Sequence, residues 1–193
     1  MHILLVDNTN TYPSLLAKSF SANEVTVVPW HEIGNVEVSN FDCAVLSGSS
    51  NFPVTGNEDE MSDELALIQT ATFPILGICY GFELVVVAFG GRLKMMPKKE
   101  QGVSEMTVLN DDPILRGIEK LFVYEGHRWV ADSLPDSLIP LAKSAHGIEG
   151  VRHKTRLVYG FQFHPEKLLR ETEGHKILEN FVSIVHDDKL QQP

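Results

Sequence analysis

The chain has 193 residues, about the length of one average domain, and its 43% hydrophobic and 22% charged residues are ordinary for a soluble globular protein. Sixteen Lys and Arg against 26 Asp and Glu give a net charge of −10, which disfavours binding to a nucleic-acid backbone. Apolar runs such as 84–89 are far shorter than the roughly 20 residues that cross a bilayer, and the N-terminus lacks the basic flank of a signal peptide. Two cysteines are too few for a disulfide framework. We therefore expect a cytoplasmic protein that binds neither nucleic acid nor membranes.

The first half of the chain alternates short β-branched runs with helix-length amphipathic segments, which is typical of βαβ units on a mostly parallel sheet. A turn is predicted at 8–12, and Pro13 suits the first position of a helix. The acidic run 57–60 suits the start of a helix, where the macrodipole favours negative charge, and a metal-binding loop there is the less favoured alternative. The predicted strands are 2–6, 24–28, 42–46 and 74–78, and the predicted helices are 14–20, 57–71 and 82–89.

The second half changes character. Residues 92–153 read as short strands broken by Gly, Pro and Asp, with a clearer strand at 121–124, and they predict an antiparallel excursion at one end of the sheet. A core strand at 157–163 and an amphipathic helix at 174–186 follow. The predicted fold is α/β, with a mostly parallel central sheet flanked by helices. Residues 1–188 are expected to form a single domain and 189–193 a flexible tail.

Residues 77–81 read Gly-Ile-Cys-Tyr-Gly between an apolar strand and a helix. This is the pattern of a nucleophile elbow with sulfur in place of a hydroxyl, because small residues permit the tight turn that exposes one side chain. Cys79 would then lie at a helix N-terminus, where the dipole favours thiolate over thiol. On these five residues alone, a buried structural cysteine fits equally well.

His164 and Glu166 follow the predicted strand 157–163, in the segment Gln-Phe-His-Pro-Glu. A thiol nucleophile benefits from an imidazole that accepts its proton and from a carboxylate that orients the imidazole. Residues i and i+2 of an extended segment project to the same side, so the pair can form locally. Taken together with the turn at Cys79, this segment predicts a catalytic pair.

These two motifs, 85 residues apart, resemble the class I glutamine amidotransferase domain over nearly the whole chain. The resemblance implies that Cys79 is the nucleophile, His164 the general acid and base, and Glu166 the residue that orients His164. The implied reaction is hydrolysis of the side-chain amide of L-glutamine, or of another γ-glutamyl compound, through a thioester on Cys79.

The oxyanion of this reaction needs preorganised N–H donors. The resemblance implies the backbone of Tyr80 as one donor and that of Ser49 as the other, beside Gly48. The family usually has Gly-Gly-Pro at this point, and this chain keeps only the first glycine.

Two further departures concern substrate binding. Glu83 stands where the family carries a glutamine that helps to hold the substrate, although a solvated helix residue is an alternative reading. The segment 124–129 aligns with a loop that holds the glutamine backbone, which makes Gly126, His127 and Arg128 candidate residues of the substrate rim. A plain surface turn is the alternative for Arg128.

The histidines show no metal-type spacing, and no metal or cofactor is expected in this chain. The first functional hypothesis is a glutaminase subunit that supplies ammonia to a separate synthetase chain, most like that of two-chain GMP synthetases, with ATP and Mg²⁺ on the partner. The alternatives are a free-standing γ-glutamyl hydrolase or transferase and a catalytically weak regulatory homologue.

Overall fold

A computed structural model describes residues 1–9 and 14–191. The turn predicted at 8–12 and the helix start predicted at Pro13 fall largely on residues 10–13, which lie outside the described residues. Within the described ranges the helices are α1 (Ser14–Ser19), α2 (Ser62–Thr70), α3 (Tyr80–Ala88) and α4 (Gly174–Gln191). Three short 3-10 segments cover Trp30–Asn35, Val38–Asn40 and Pro113–Leu115.

The strands are β1 (His2–Asp7), β2 (Glu24–Pro29), β3 (Cys43–Leu46), β4 (Ile75–Ile78), β5 (Arg92–Met95), β6 (Gly102–Val108), β7 (Leu121–Glu125), β8 (Trp129–Ser133), β9 (Leu138–Lys143), β10 (Ile148–His153) and β11 (Val158–Phe161).

The main sheet has the strand order β2-β1-β3-β4-β11-β10-β9-β6-β7. Its first five strands are parallel, and the following four join antiparallel. A separate antiparallel pair is formed by β5 and β8. The predicted α/β class with a mostly parallel centre and an antiparallel extension is therefore confirmed.

Hydrophobic cores lie on both faces of the sheet, because successive side chains of a strand point to opposite faces. Ile3 and Leu5 of β1 pack with residues of α1 and α4, whereas Leu4 and Val6 pack with residues of α2 and α3. Burial on both faces explains why the central strands are continuous apolar runs.

The boundaries of two helices differ from the prediction. Helix α2 begins at Ser62 and not at residue 57, because the run 57–60 forms turns in which the Glu58 carboxylate accepts the Gly56 N–H at 2.9 Å. Helix α4 continues to Gln191, beyond the predicted end at 186, and Lys189 pairs with Asp42 at 2.7 Å. Of the tail predicted at 189–193, residues 189–191 are thus helical, and 192–193 lie outside the described residues.

No helix within the described residues is long and apolar enough to span a membrane.

The turn from β4 into α3 depends on two close backbone approaches. A β-carbon added at Gly81 would lie 2.5 Å from the Leu46 carbonyl oxygen, and one at Gly77 would collide with the Gly81 carbonyl. Backbone atoms cannot move aside as a flexible side chain can, so the two glycines allow α3 to start directly against β3 and β4.

We expect Gly81→Ala to lower the free energy of unfolding by about 2 kcal/mol or more, because it overpacks against backbone. The control is Gly90→Ala: open space surrounds its added carbon, and φ of +89° leaves only backbone strain of about 1 kcal/mol. Urea denaturation would measure both variants. Equal losses of unfolding free energy in Gly81→Ala and Gly90→Ala would show that the close approach to Leu46 does not matter for stability.

Candidate active site

Cys79 occupies the turn between β4 and α3, where its φ of +52° is in the left-handed region. A non-glycine residue there costs of order 1–3 kcal/mol and persists only where the surroundings enforce it. Here the Cys79 N–H donates to the Phe161 carbonyl at 2.8 Å, and its carbonyl accepts the Glu83 N–H at 3.1 Å. The predicted elbow is therefore present, and the sharp turn fixes the direction of the thiol.

His164 and Glu166 follow β11, the strand that pairs with β4. The His164 Nδ1 and Glu166 Oε1 are 2.8 Å apart, which confirms the predicted local pair. The backbone N–H of His164 also donates to the Tyr124 carbonyl at 2.8 Å, which connects this segment to β7. With Nδ1 engaged by the carboxylate, Nε2 is the nitrogen left for proton transfer.

Gly48 lies between the thiol and the imidazole. The position of a Gly48 β-carbon would be 3.1 Å from His164 Cε1 and 3.3 Å from Cys79 Cβ. A cleft of about 470 Å³ is lined by these residues together with Ser49 and Glu166. The fold thus brings together the nucleophile, the base, the orienting acid and the loop expected to donate to the oxyanion.

A second cleft of about 360 Å³ also borders Cys79 and shares Ser49 and Gly126 with the first. It is lined by the remaining predicted site residues, namely Tyr80, Glu83, Gly126, His127 and Arg128. Gly126 is placed close to the base, since its added β-carbon would be 3.4 Å from His164 Nε2. All predicted site residues therefore line one or both clefts, and their roles remain predictions.

The electrostatics of Cys79 differ from the prediction of a favoured thiolate. Burial raises the pKa of the Cys79 thiol, and the nearby carboxylates of Glu83 and Glu166 raise it further. The Tyr80 backbone N–H bonds to the sulfur and lowers this pKa as expected for a helix N-terminus, but it is outweighed. The prediction of a net lowered pKa is wrong, and the resting side chain is a neutral thiol.

Glu83 is only 4% exposed, so the alternative of a solvated helix residue is wrong. Its Oε1 accepts a hydrogen bond from Gln162 Nε2 at 3.2 Å, and the same amide is 3.9 Å from Cys79 Sγ. Burial raises the pKa of Glu83 to about 7. The carboxyl therefore changes charge near neutral pH beside the nucleophile.

Arg128 is exposed at the rim and is tied to the chain before β6. Its Nε donates to the Met96 carbonyl at 3.1 Å, and Nη2 to the Pro97 carbonyl at 3.4 Å. The side chain thus lines the second cleft, held by two backbone carbonyls, and both its role in substrate binding and the alternative of a surface turn stay open.

His127 is buried among acids and is not an exposed rim residue. Its Nε2 lies 3.0 Å from Glu125 Oε2 and 3.4 Å from Glu149 Oε2, and Nδ1 donates to the Trp129 carbonyl at 2.9 Å. Although burial opposes the charge, these partners raise the pKa of His127 to about 10. The group is an imidazolium held between two carboxylates.

The same three side chains are the group among the described residues that could hold a metal ion, since their ligand atoms lie within 4.8 Å of one another. Both ring nitrogens of His127 already donate in this arrangement, so a metal would have to displace a proton from Nε2. The expectation that the chain needs no metal stays a prediction.

Sequence reasoning assigned no role to Gln162 or to Glu149. Gln162 could have been found, because it lies two residues before His164 in an extended segment and therefore on the same side. Glu149 has no such signal. It lies on β10 and reaches His127 in the loop between β7 and β8, a contact made only by the tertiary fold.

We expect His127→Leu to lower the free energy of unfolding by about 3–5 kcal/mol at pH 6, because Glu125 and Glu149 lose their buried counter-charge. The pKa of His127 is raised from 6.5 to about 10, so its contribution is complete below pH 6.5 and is lost as the pH rises to about 10. Denaturation of both proteins between pH 6 and 10 should show the difference narrowing. The control, His146→Leu, removes an ion pair with Glu100 near the surface and should change the free energy of unfolding little. A similarly small loss in His127→Leu would refute the ion cluster.

Comparisons with known proteins agree with this geometry. The profile of the family described as glutamine amidotransferase class-I matches residues 4–185. The glutamine-hydrolyzing GMP synthase subunit of Methanopyrus kandleri is 32% identical over 188 residues, which cover 94% of this chain and 97% of that protein. The glutamine-hydrolyzing GMP synthase of Thermosipho africanus is 33% identical over 189 residues, covering 95% of this chain, which spans about a third of that longer protein, 36% of its length.

Solved structures agree as well. A Thermoplasma acidophilum protein solved as a candidate GMP synthase subunit superposes with a TM-score of 0.88 at 28% identity, covering 98% of this chain and 96% of that one. A glutamine amidotransferase of Thermotoga maritima shares the fold, with a TM-score of 0.74 at 18% identity, covering 99% of this chain and 86% of that one. The match over most of the chain, together with the cysteine elbow and the His-Glu pair, establishes that this chain belongs to the class I glutamine amidotransferase family.

Proposed function

We propose that this protein hydrolyses the side-chain amide of L-glutamine through a thioester on Cys79. The observation that carries the proposal is the placement of Cys79, on a strained turn, in one cleft with the hydrogen-bonded pair of His164 and Glu166. Membership of the class I glutamine amidotransferase family supports the same chemistry.

In the first step, His164 Nε2 accepts the proton of the Cys79 thiol as the sulfur attacks the amide carbon. Burial and two carboxylates raise the thiol pKa, so the sulfur needs an adjacent base to accept its proton. Glu166 accepts the Nδ1 hydrogen bond of His164, and its charge stabilises the imidazolium formed in this step.

The tetrahedral oxyanion receives hydrogen bonds from backbone N–H groups. The backbone N–H of Tyr80, which bonds to the cysteine sulfur, is proposed as one donor. The backbone N–H of Ser49, in the adjoining loop, is proposed as the other. His164 then returns its proton to the nitrogen, and ammonia leaves. Water, deprotonated by His164, attacks the thioester, and collapse of the second intermediate releases glutamate and restores the thiol.

The ammonia would pass to a separate synthetase chain. Relatives of similar length, including those of Methanopyrus kandleri and Saccharolobus solfataricus, are named as subunits of glutamine-hydrolyzing GMP synthases. We therefore infer a two-chain enzyme in which the partner carries the acceptor site together with ATP and Mg²⁺.

The test is glutamate and ammonia release from glutamine and from a panel of γ-glutamyl amides. We expect Cys79→Ser to reduce turnover by about 10³-fold or more, because the nucleophile is lost. Cys43→Ala is the matched control: Cys43 is completely buried in β3 and lines neither cleft, so it should not react. An electrophilic glutamine analogue should label Cys79 and leave Cys43 free.

Labelling of Cys43 alone, or full activity of Cys79→Ser, would refute the proposed nucleophile. Rapid turnover of a panel compound in preference to glutamine would favour the free-standing hydrolase. Addition of a synthetase chain with ATP and Mg²⁺ should raise the glutamine rate, and no turnover even then would contradict the proposed function.

A second test concerns Glu83. Ionised Glu83 raises the pKa of Cys79, so Glu83→Gln should ease thiol deprotonation above pH 7, where the wild-type carboxyl is charged. We expect the ratio of variant to wild-type kcat/KM to rise from near 1 at pH 6 to about 10 at pH 8.5. Exposed Glu119→Gln is the control. A ratio that does not change with pH would show that the Glu83 charge does not act on the nucleophile.

A further inference from the structure

Gln162 is the first residue after β11, and it precedes His164 by two positions. The residue is completely buried, and its backbone N–H donates to the Glu149 carbonyl of β10 at 2.8 Å. The carbonyl of the preceding residue, Phe161, accepts the Cys79 N–H at 2.8 Å. The end of β11 therefore holds the backbone of Cys79 and that of Gln162 in one hydrogen-bonded frame.

The side-chain amide of Gln162 lies between Glu83 and Cys79. Its Nε2 donates to Glu83 Oε1 at 3.2 Å and to Cys79 Sγ at 3.9 Å, a distance that the large radius of sulfur permits. An amide nitrogen carries two hydrogens, so it can donate to both atoms. The Glu83 N–H in turn donates to the Cys79 carbonyl at 3.1 Å. The three residues therefore form a closed set of hydrogen bonds that includes the nucleophile.

Packing alone does not explain a glutamine at this position. Among the described residues, Gln162 Oε1 is buried and has no hydrogen-bond partner. A buried polar atom without a partner lowers the stability of a fold, and an apolar side chain of similar volume has no such atom. What the glutamine adds is the pair of N–H groups that face the Glu83 carboxyl and the Cys79 sulfur. This favours a role of the amide at the sulfur over a role in the core.

We propose that Gln162 is a further catalytic residue: its side-chain N–H donates to Cys79 Sγ and stabilises negative charge on this sulfur. The inference rests on the proposed glutaminase function. The sulfur carries such charge when His164 accepts its proton, and again when it leaves the second tetrahedral intermediate. A hydrogen bond to an ionised acceptor is stronger than one to a neutral acceptor, so the amide favours these states over the resting thiol. Glu83 Oε1 accepts the other hydrogen and keeps the nitrogen directed at the sulfur.

The charge of Glu83 also acts on this sulfur and has to be kept constant in a test. The ionisable side chains that act on the Cys79 thiol are Glu83 of α3, together with Glu166 and Lys167 after β11, and His164 is the proposed base. The hydrogen bond from Gln162 lowers the pKa of Glu83. Loss of Gln162 would therefore change the charge of Glu83 as well. The effect of the amide is measured cleanly only where residue 83 carries no charge.

The comparison starts from two parent variants of the full chain. Glu83→Gln has no charge and keeps an amide oxygen that can accept from Gln162. Glu83→Met has no acceptor, so the Gln162 amide is free to rotate. Gln162→Met is added to each parent and removes the donor at similar volume. The matched control is Gln69→Met, which removes an amide that donates to the Ala88 carbonyl at 2.8 Å and lines neither cleft.

The probe is iodoacetamide at pH 8, which reacts with the thiolate, and mass spectrometry follows the labelling of Cys79. In the Glu83→Gln parent, Gln162→Met should slow this labelling about 3- to 10-fold, because the thiolate fraction falls by more than the nucleophilicity of the sulfur rises. In the Glu83→Met parent, the same substitution should slow it less than about twofold, because the amide is no longer oriented. Gln69→Met should leave the rate unchanged.

The direction of the change separates a catalytic role from a structural one. Cys79 is only 4% exposed, so loosened packing would make its sulfur more accessible and speed the labelling. An unchanged or faster rate on adding Gln162→Met to Glu83→Gln would overturn the proposal, and equal slowing in both parents would overturn the role given to Glu83. Gln162→Leu, a second apolar replacement, provides the same comparison where the methionine variant does not fold.

Turnover tests the same residue without a change at Glu83. At pH 6, below the raised pKa of Glu83 of about 7, that carboxyl is mostly uncharged. Gln162→Met should then lower kcat for glutamine about 3- to 10-fold with KM within about twofold, since the donor acts on the charged states of the sulfur. Full kcat in this variant would refute the role of Gln162. A chain that shows the labelling pattern but never hydrolyses glutamine would refute only the proposed function.

Discussion

The close backbone approach at the start of α3 is the constraint on which the site depends. Gly77 and Gly81 permit α3 to begin directly against β3 and β4, and this leaves Cys79 in a left-handed conformation that its neighbours must enforce. Packing and hydrogen bonding in the surrounding sheet offset the backbone strain at Cys79. One such bond is donated by the Cys79 N–H to the carbonyl of Phe161 in β11. The site and the centre of the fold are therefore the same piece of structure.

Buried ionisable groups surround this turn, and each is neutralised in a different way. His127 is an imidazolium between two carboxylates, Glu83 carries a proton over part of the neutral range beside Gln162, and Glu64 is neutral through burial. Because a charge is costly to bury, each arrangement removes or pairs the charge. The shared consequence is that the charge at each of these positions is set by burial and by the partner that the fold provides.

The features that were predicted correctly depend on local sequence patterns, and the features that were predicted wrongly depend on contacts made by the fold. The elbow at Cys79 and the pair of His164 and Glu166 could be predicted because each forms within a few residues. The pair forms in a turn, in which the Lys167 N–H donates to the His164 carbonyl at 3.2 Å, and not in the extended segment from which it was predicted. The predicted start of α2 was wrong because the acidic run 57–60 is compatible with turns as well as with a helix. Hydrogen bonds with Gly56 and Pro53 favour the turns. The pKa of Cys79 was predicted from the helix dipole alone, whereas burial and two carboxylates from elsewhere determine its direction.

By itself, the sequence determined the fold class and the candidates for nucleophile, base and orienting acid, because these follow from hydrophobic periodicity and short motifs. Only the tertiary structure decided which charges meet. Glu149 of β10 reaches His127 in the loop between β7 and β8, Gln162 meets Glu83 between the end of β11 and α3, and Glu64 of α2 meets Asn8 just after β1. Pairing of groups distant in sequence depends on strand register and helix packing, which no local pattern encodes.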